Sequence, residues 1–348
     1  MINGRVFIKN VYYEIMRVSV IMSVYREPVD WLCQSIDSIL HQTFSDFEFI
    51  IICDDPSYTE GLTLLRKYSE QDSRIVLLIN EKNIGLTKSL NRGVKIAKGD
   101  YIARMDADDV SDLQRLSVQY EFMEKNPQIA VCGTGRQILN EEKLSKKTYN
   151  TYTDSNDIKS VFVLRSAFTH PTVMIRRSVF DDGYLYDESY ICAQDYDLWE
   201  RLLEKGYVLA NIDRPLLRYR MSGIQVSKNK KMLQVSSAKR IRKNFLSSMD
   251  ITLTEEELDV LVLPFMRNVE INREDIKKYI RLLEYLQTQM KRKEWFHSQA
   301  YQVEAIRFAI NLALKSRNKL FCLWDILCSS LATISSLRKN TNYYYNRL

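Results

Sequence analysis

The run Asp106-Ala107-Asp108-Asp109 puts three carboxylates within four residues, directly after the short apolar stretch 101–105. Carboxylates this close repel one another unless a cation offsets them. A divalent ion is the simplest partner: magnesium and manganese take oxygen ligands and keep positions for water and substrate phosphate. The competing reading is a solvated acidic turn ahead of a helix that Asp112 caps. Asp55, in Cys53-Asp54-Asp55-Pro56-Ser57, can accept the N3–H of a uracil ring, or simply serve a turn that Asp and Pro both favour. Asp195 opens a predicted helix in Gln194-Asp195-Tyr196-Asp197-Leu198-Trp199. There it suits a general base beside a cleft, and equally a helix cap. His170 precedes Pro171 and is one of three histidines; it reads as a pocket residue, although a lone histidine is more often structural.

These residues need a scaffold that brings them to one edge. From residue 17 to 133, apolar runs alternate with segments of helical period, the pattern of βα units around a largely parallel sheet. Strands are predicted at 18–24, 47–53, 75–79, 101–105 and 129–133, with helices at 29–42, 86–98 and 112–126. Open α/β sheets bind ligands at the carboxyl ends of their strands. Three of these strands run into polar groups there: Tyr25-Arg26-Glu27, Asp54-Asp55 and the Asp106 cluster. Farther on, a strand at 171–175, a helix at 193–205 and a strand at 207–212 are expected. Beyond residue 230 the chain turns to lysine-rich helices, with a capping box at Thr254–Glu257 and an apolar stripe of Ile276, Ile280, Leu283 and Leu286.

Taken in order, the segments 18–25, Asp54-Asp55, Asn83-Ile84-Gly85-Leu86, 99–109, Gln114-Arg115-Leu116 and Gln194-Asp195 resemble glycosyltransferase family 2 over roughly residues 17–227. The resemblance implies a GT-A fold, a nucleoside-diphosphate sugar as donor, UDP-linked by the uracil reading of Asp55, and inversion at the anomeric carbon. It implies that Val24, Tyr25 and Glu27 border the nucleoside and that Asp55 takes the base. Asp106, Ala107 and Asp108 would form the D-x-D stretch near ribose, phosphate and metal, with Asp108 and Asp109 ligating Mn2+ or Mg2+. Lys88 and Arg115 would neighbour the diphosphate. Asp195 would be the catalytic base, with His170, Gln194 and Trp199 around the acceptor. Two positions depart from the family pattern: Gln194 stands where a glutamate usually precedes the base, and Ser222 where many relatives carry a histidine.

The expected organisation is an extension at 1–16, a catalytic domain at 17–230 (nucleotide-sugar half 17–133, acceptor half 134–230) and a helical region at 231–348. A net charge of +6 is too modest to name a partner, and no nucleic-acid-reading module is present. Six scattered cysteines without a CxxC pair suit a reducing compartment, and the amino terminus lacks the uninterrupted apolar core of a signal peptide. The basic run Lys228, Lys230, Lys231, Lys239, Arg240, Arg242 and Lys243, with the apolar stretch 320–324, predicts either attachment to the cytoplasmic membrane face, near a lipid-linked glycan acceptor, or a helical surface packed on the catalytic part. Two rival functions are a nucleotide-sugar-binding protein without turnover, which retention of Asp195 and the Asp cluster disfavours, and a nucleotidyltransferase. The latter would need a phosphate-binding loop that Tyr25-Arg26-Glu27-Pro28 does not supply.

Overall fold

A computed structural model describes residues 17–140, 143–149, 152–221, 231–266, 269–293 and 299–332. Strands and helices alternate first: β1 (Val18–Val24), α1 (Val29–Leu40), β2 (Phe47–Cys53), α2 (Thr59–Gln71), β3 (Ile75–Ile79), α3 (Leu86–Ile96) and β4 (Tyr101–Asp106). Then come β5 (Val110–Ser111), α4 (Arg115–Lys125), β6 (Ile129–Asn140), β7 (Lys143–Tyr149), α5 (Ser155–Val161), β8 (Met174–Arg176), α6 (Arg177–Asp181), α7 (Gln194–Glu204) and β9 (Val208–Met221). Among the described residues, five helices follow: α8 (Lys231–Ser248), α9 (Glu255–Val262), α10 (Arg273–Arg292), α11 (Ala300–Lys315) and α12 (Lys319–Leu327).

The chain is α/β, around a nine-stranded sheet of order β3-β2-β1-β4-β8-β6-β9-β5, with β7 paired to β6. β3, β2, β1 and β4 are parallel, whereas β8 runs antiparallel to both its neighbours. β2 is buried along its whole length, as expected of an apolar run covered on both faces. Successive strand residues feed opposite layers: Val20, Met22, Phe49 and Ile51 pack with Leu32 and Ile36 of α1, while Ile21, Ile50 and Ile52 pack with Leu90 and Val94 of α3. At Gly99 a Cβ would lie 2.5 Å from the Ser19 backbone nitrogen, so only glycine lets the chain enter β4 here.

Where a strand is predicted at 171–175, the chain instead forms a 3-10 turn at His170–Thr172 and begins β8 at Met174. Pro171 has no N–H for a ladder, and Thr172 N donates to Thr169 O (2.9 Å) to close the turn. Thr254 and Glu257 cap α9 reciprocally, and Ile276, Ile280, Leu283 and Leu286 of α10 are buried in the same apolar cluster as Ile21 and Ile50.

Of the two readings of the basic run, α8 packs on the catalytic part. Lys239 pairs with Glu255 (3.0 Å) and Asp259 (2.5 Å), and Lys243 with Glu255 (2.7 Å). Arg242 is buried and donates to the carbonyls of Val163 and Leu164. Lys239, Arg242 and Lys243 are thus engaged with partners inside the protein, and Lys228 and Lys230 lie outside the described residues. α12 exposes Leu320, Phe321 and Trp324. No helix among the described residues is long and apolar enough to cross a membrane.

Candidate active site

The parallel register sets Ser23 of β1 opposite Asp106 of β4, and Val24 opposite Cys53 of β2. The polar residues that follow β1, β2 and β4 therefore emerge at one level of the sheet. At the end of β1, Val24 is buried, Tyr25 is exposed, and Glu27 folds back so that its carboxylate accepts the Tyr25 N–H (2.8 Å). Burial raises the Glu27 carboxyl, and Asp106 adds to the effect.

The two aspartates after β2 do different work. Asp54 accepts from Asn80 Nδ2 (2.6 Å) and from the N–H groups of Ile84 and Gly85 (both 2.9 Å), which fixes the turn into α3. Gly85 sits there at φ +88°, in the left-handed region. Asp55 faces outward from this arrangement. Its Oδ1 accepts from Ser57 N (2.9 Å) and Oγ (2.7 Å), and its Oδ2 from Arg26 Nε (2.5 Å). These bonds hold the carboxyl below its ordinary range, Ser57 contributing most and Arg26 next. Lys88 is exposed on the first turn of α3.

After β4, ligand oxygens of Asp106, Asp108 and Asp109 lie within 4.8 Å of one another. Asp109 is buried; its Oδ1 accepts the Arg220 N–H (2.8 Å), and its Oδ2 has no hydrogen-bond partner. Burial, followed by the charge of Asp106, pushes Asp108 up to about 7 and Asp109 well above the carboxylate range. A cluster of three carboxylates with an orphaned buried oxygen, its charge offset only in part by the Arg104–Asp106 ion pair, fits a divalent cation, whose ligand set would be these carboxylates. Arg220 braces the loop: its Nε donates to Asp108 O (2.7 Å), its Nη2 to Gln34 Oε1 (2.5 Å), and its guanidinium stacks on Trp31.

Arg115, expected beside the diphosphate, is fully buried beneath the cluster. Its Nη2 donates to Arg104 O (2.5 Å) and its Nε to Gln119 (3.0 Å), so it pins β4 from below and cannot touch a ligand. Burial, followed by the charge of Arg104, lowers it to about 10. Trp199, expected at the acceptor, is likewise fully buried; it packs behind His170 and Phe168 rather than forming a pocket wall.

Arg104 is the residue the sequence reading missed. It is 3% exposed, pairs with Asp106, and its Nε has no partner. Its positive charge favours the anionic forms of Asp108, Asp109 and Asp195 and disfavours protonation of His170, in each case less than burial acts. The available signal was a cation in the middle of an otherwise apolar strand. His170 Nε2 meets Tyr186 Oη (2.9 Å), and burial drives the imidazole well below its ordinary value. Gln194 is buried and Asp195 half-buried at the start of α7, after Ala193 at φ 63°. Burial raises the Asp195 carboxyl, its own and the Tyr196 N–H groups oppose this, and Arg104 opposes it more weakly. Ser222 lies outside the described residues.

Known proteins resemble this chain in sequence and in fold. The model of glycosyl transferase family 2 matches residues 19–184. WbnJ of Escherichia coli, an O-antigen biosynthesis glycosyltransferase, is 37% identical over 61% of this chain and 82% of its own length. The chain belongs to glycosyl transferase family 2. A glycosyltransferase of Methanocaldococcus jannaschii is 36% identical over 59% of this chain and 70% of its own. The structure of residues 1–349 of TarS from S. aureus, in complex with UDP-GlcNAc, aligns with a TM-score of 0.53 at 15% identity, over 93% of this chain and 92% of that one. The fold is thus GT-A, as in TarS.

Proposed function

We propose that this family 2 enzyme transfers a sugar from a nucleoside-diphosphate sugar, specifically a UDP-sugar, to a hydroxyl of a glycan or lipid-linked oligosaccharide, with inversion, during surface polysaccharide assembly. The observation that carries the reading is the acidic cluster Asp106-Asp108-Asp109 at the end of β4, with Asp195 near enough to feel the charges of Asp106 and Arg104. A base for the acceptor and a leaving-group site at the diphosphate suit in-line displacement, the hydroxyl attacking the face opposite the departing diphosphate. The UDP-GlcNAc held by TarS and the O-antigen role in the name of WbnJ support the donor class and the pathway class.

Asp55 receives the base of the nucleotide, and Val24, Tyr25 and Glu27 line the nucleoside. Mn2+ or Mg2+, held by Asp108 and Asp109 with Asp106 beside them, would steady negative charge on the departing diphosphate. Asp195 takes the proton of the acceptor hydroxyl. Its raised carboxyl makes it a stronger base than an ordinary aspartate, and the amino end of α7 favours its anionic form between turnovers. Residues 17–230 perform this chemistry, and residues 231–348 support it. The exposed Leu320, Phe321 and Trp324 of α12 are the segment best suited to rest on the inner face of the cytoplasmic membrane.

The test is a screen of UDP-sugars with manganese or magnesium, following UDP release with and without lipid-linked or oligosaccharide acceptors. Asp195→Asn should cut transfer by about 10²–10⁴-fold while UDP still binds. Turnover that survives both this substitution and EDTA would refute the mechanism.

A further inference from the structure

The candidate base opens α7 directly after a turn, at Ala193, whose shape the catalytic half does not secure alone. Ala193 adopts φ 63° directly before Gln194 and Asp195. A residue with a Cβ holds that conformation only where its surroundings over-determine it. The surroundings are two tyrosines, Tyr190 and Tyr196, both at least 95% buried and bracketing the loop. Each is fastened by an arginine from α8, the first helix of the carboxy-terminal region.

On the near side, the Arg240 guanidinium lies 3.7 Å from the centre of the Tyr190 ring. Its Nε donates to Tyr190 Oη (2.8 Å) and its Nη2 to Ser189 Oγ (3.0 Å). The carbonyl of Tyr190 accepts from Thr87 Oγ1 on α3 (2.9 Å), so this tyrosine ties the base loop to the helix that starts at the donor side. On the far side, Tyr196 donates to Phe162 O and packs on the Phe162 ring at 4.5 Å. Arg242 lies over Tyr196 at 5.4 Å while donating to Val163 O (2.8 Å) and Leu164 O (2.7 Å), and Phe245 of α8 closes the stack on Phe162 at 4.8 Å. Asp195 is therefore suspended between two anchors that share one helix.

We propose that Arg240 and Arg242 are positioning residues for the transfer reaction: through Tyr190 and Tyr196 they hold Asp195 at the attack geometry, making α8 a working part of the active site. The proposal rests on Asp195 being the base. Arg240 is the informative member, because its side chain lies at the surface and the buried Asp197, whose charge it helps to offset, keeps its ion pair with Arg201 (2.8 Å) when Arg240 is replaced. Arg242, buried among backbone carbonyls, also carries fold stability. A guanidinium that both stacks and donates through two nitrogens is poorly replaced by lysine, whose ammonium is a point charge.

The experiment compares wild type with Arg240→Met, Arg240→Lys, Tyr190→Phe and the Arg240→Met/Tyr190→Phe double variant in the full chain. It uses UDP release from whichever UDP-sugar the wild type turns over, together with UDP affinity and thermal midpoint. Arg240→Met should lower kcat by about tenfold or more, since small misplacements of a reacting group cost up to about 10²-fold. The donor KM, UDP affinity and midpoint should stay close to wild type. Arg240→Lys should recover only part of kcat. The double variant should be no slower than Arg240→Met, because both changes delete one contact. Tyr190→Phe gives the same reading should Arg240→Met fold poorly. Full kcat in Arg240→Met and Tyr190→Phe, alongside an inactive Asp195→Asn, overturns the positioning role and leaves the base standing. Parallel loss of UDP affinity, midpoint and kcat also overturns it, as a purely structural effect. An active Asp195→Asn removes the base, and this inference with it.

Discussion

Asp109 shows how a single residue can be wrong for the empty protein and right for its work. It is 1% exposed, one oxygen accepts the Arg220 N–H, and the other has no partner. An asparagine could keep the first bond through its own Oδ1 and abolish the buried charge. Asp109→Asn should therefore raise the midpoint of the metal-free protein by about 1–3 °C, from relief of roughly 1–2 kcal/mol. The same change should abolish any rise in midpoint on adding manganese, and lower transfer sharply. Thermal scans with EDTA and with metal check both halves; an unstabilised variant that still responds to manganese would contradict the ligand assignment. The carboxylates themselves were legible in the sequence, because three acids in four residues cannot be electrostatically neutral. Arg115 and Trp199 were not, since helix position does not tell which side chain turns inward. Both point into the core, and the cation that reaches the site is Arg104, from inside a strand.

Helix α7 carries four acids, and two of them occupy different settings. Asp195 stands at its open end, whereas Glu200 lies on its buried side, 3% exposed, with Oε1 unbonded. Burial, then the charges of Glu204 and Asp197, push Glu200 up to about 7 against an ordinary 4.5, with Arg201 opposing them. The folded state thus holds this proton more tightly than the unfolded chain. The resulting penalty is absent below about pH 4.5, grows as pH rises toward 7, and is complete above it. Glu200→Gln should raise the midpoint by a few degrees, on the order of 3–5 °C, at pH 8 and by almost nothing at pH 5. Equal midpoints of variant and wild type at pH 8 would show that Glu200 is not under strain. At this scale the sequence was most readable where one rule dominated. The apolar runs of β1, β2 and β3 match their predicted limits, while Pro171 converted a predicted strand into a turn because a missing N–H outranks an apolar pattern.

Across the molecule, one apolar cluster joins Ile21, Ile50 and Ile52 of the sheet to Trp199 of α7 and to Ile276, Leu283 and Leu312 of the carboxy-terminal helices. A buried charge network reinforces it: Glu304 of α11 is 1% exposed and accepts from Arg165 (3.0 Å), Arg307 (2.8 Å) and Tyr152 (3.1 Å). Its carboxyl lies below the ordinary value, the two arginines outweighing burial. Glu304→Ala would strand these cations, and should cost about 2–4 kcal/mol at neutral pH. Chemical denaturation should show one earlier transition for sheet and helices together. Two separate transitions would mean that the helices fold as an independent unit.

The sequence by itself determined the βα alternation, the strand ends that bear acids and the family, because these depend on local period and on motifs a few residues long. Only the tertiary structure decided that Arg104 pairs with Asp106, that Arg115 and Trp199 belong to the core, and that Arg240 and Arg242 of α8 lie against Tyr190 and Tyr196. Each of those outcomes is a contact between residues far apart in the chain, where burial and partner choice are set by packing rather than by neighbours in sequence. The carboxylates at 106, 108 and 109 could be read from four letters; what surrounds them could not.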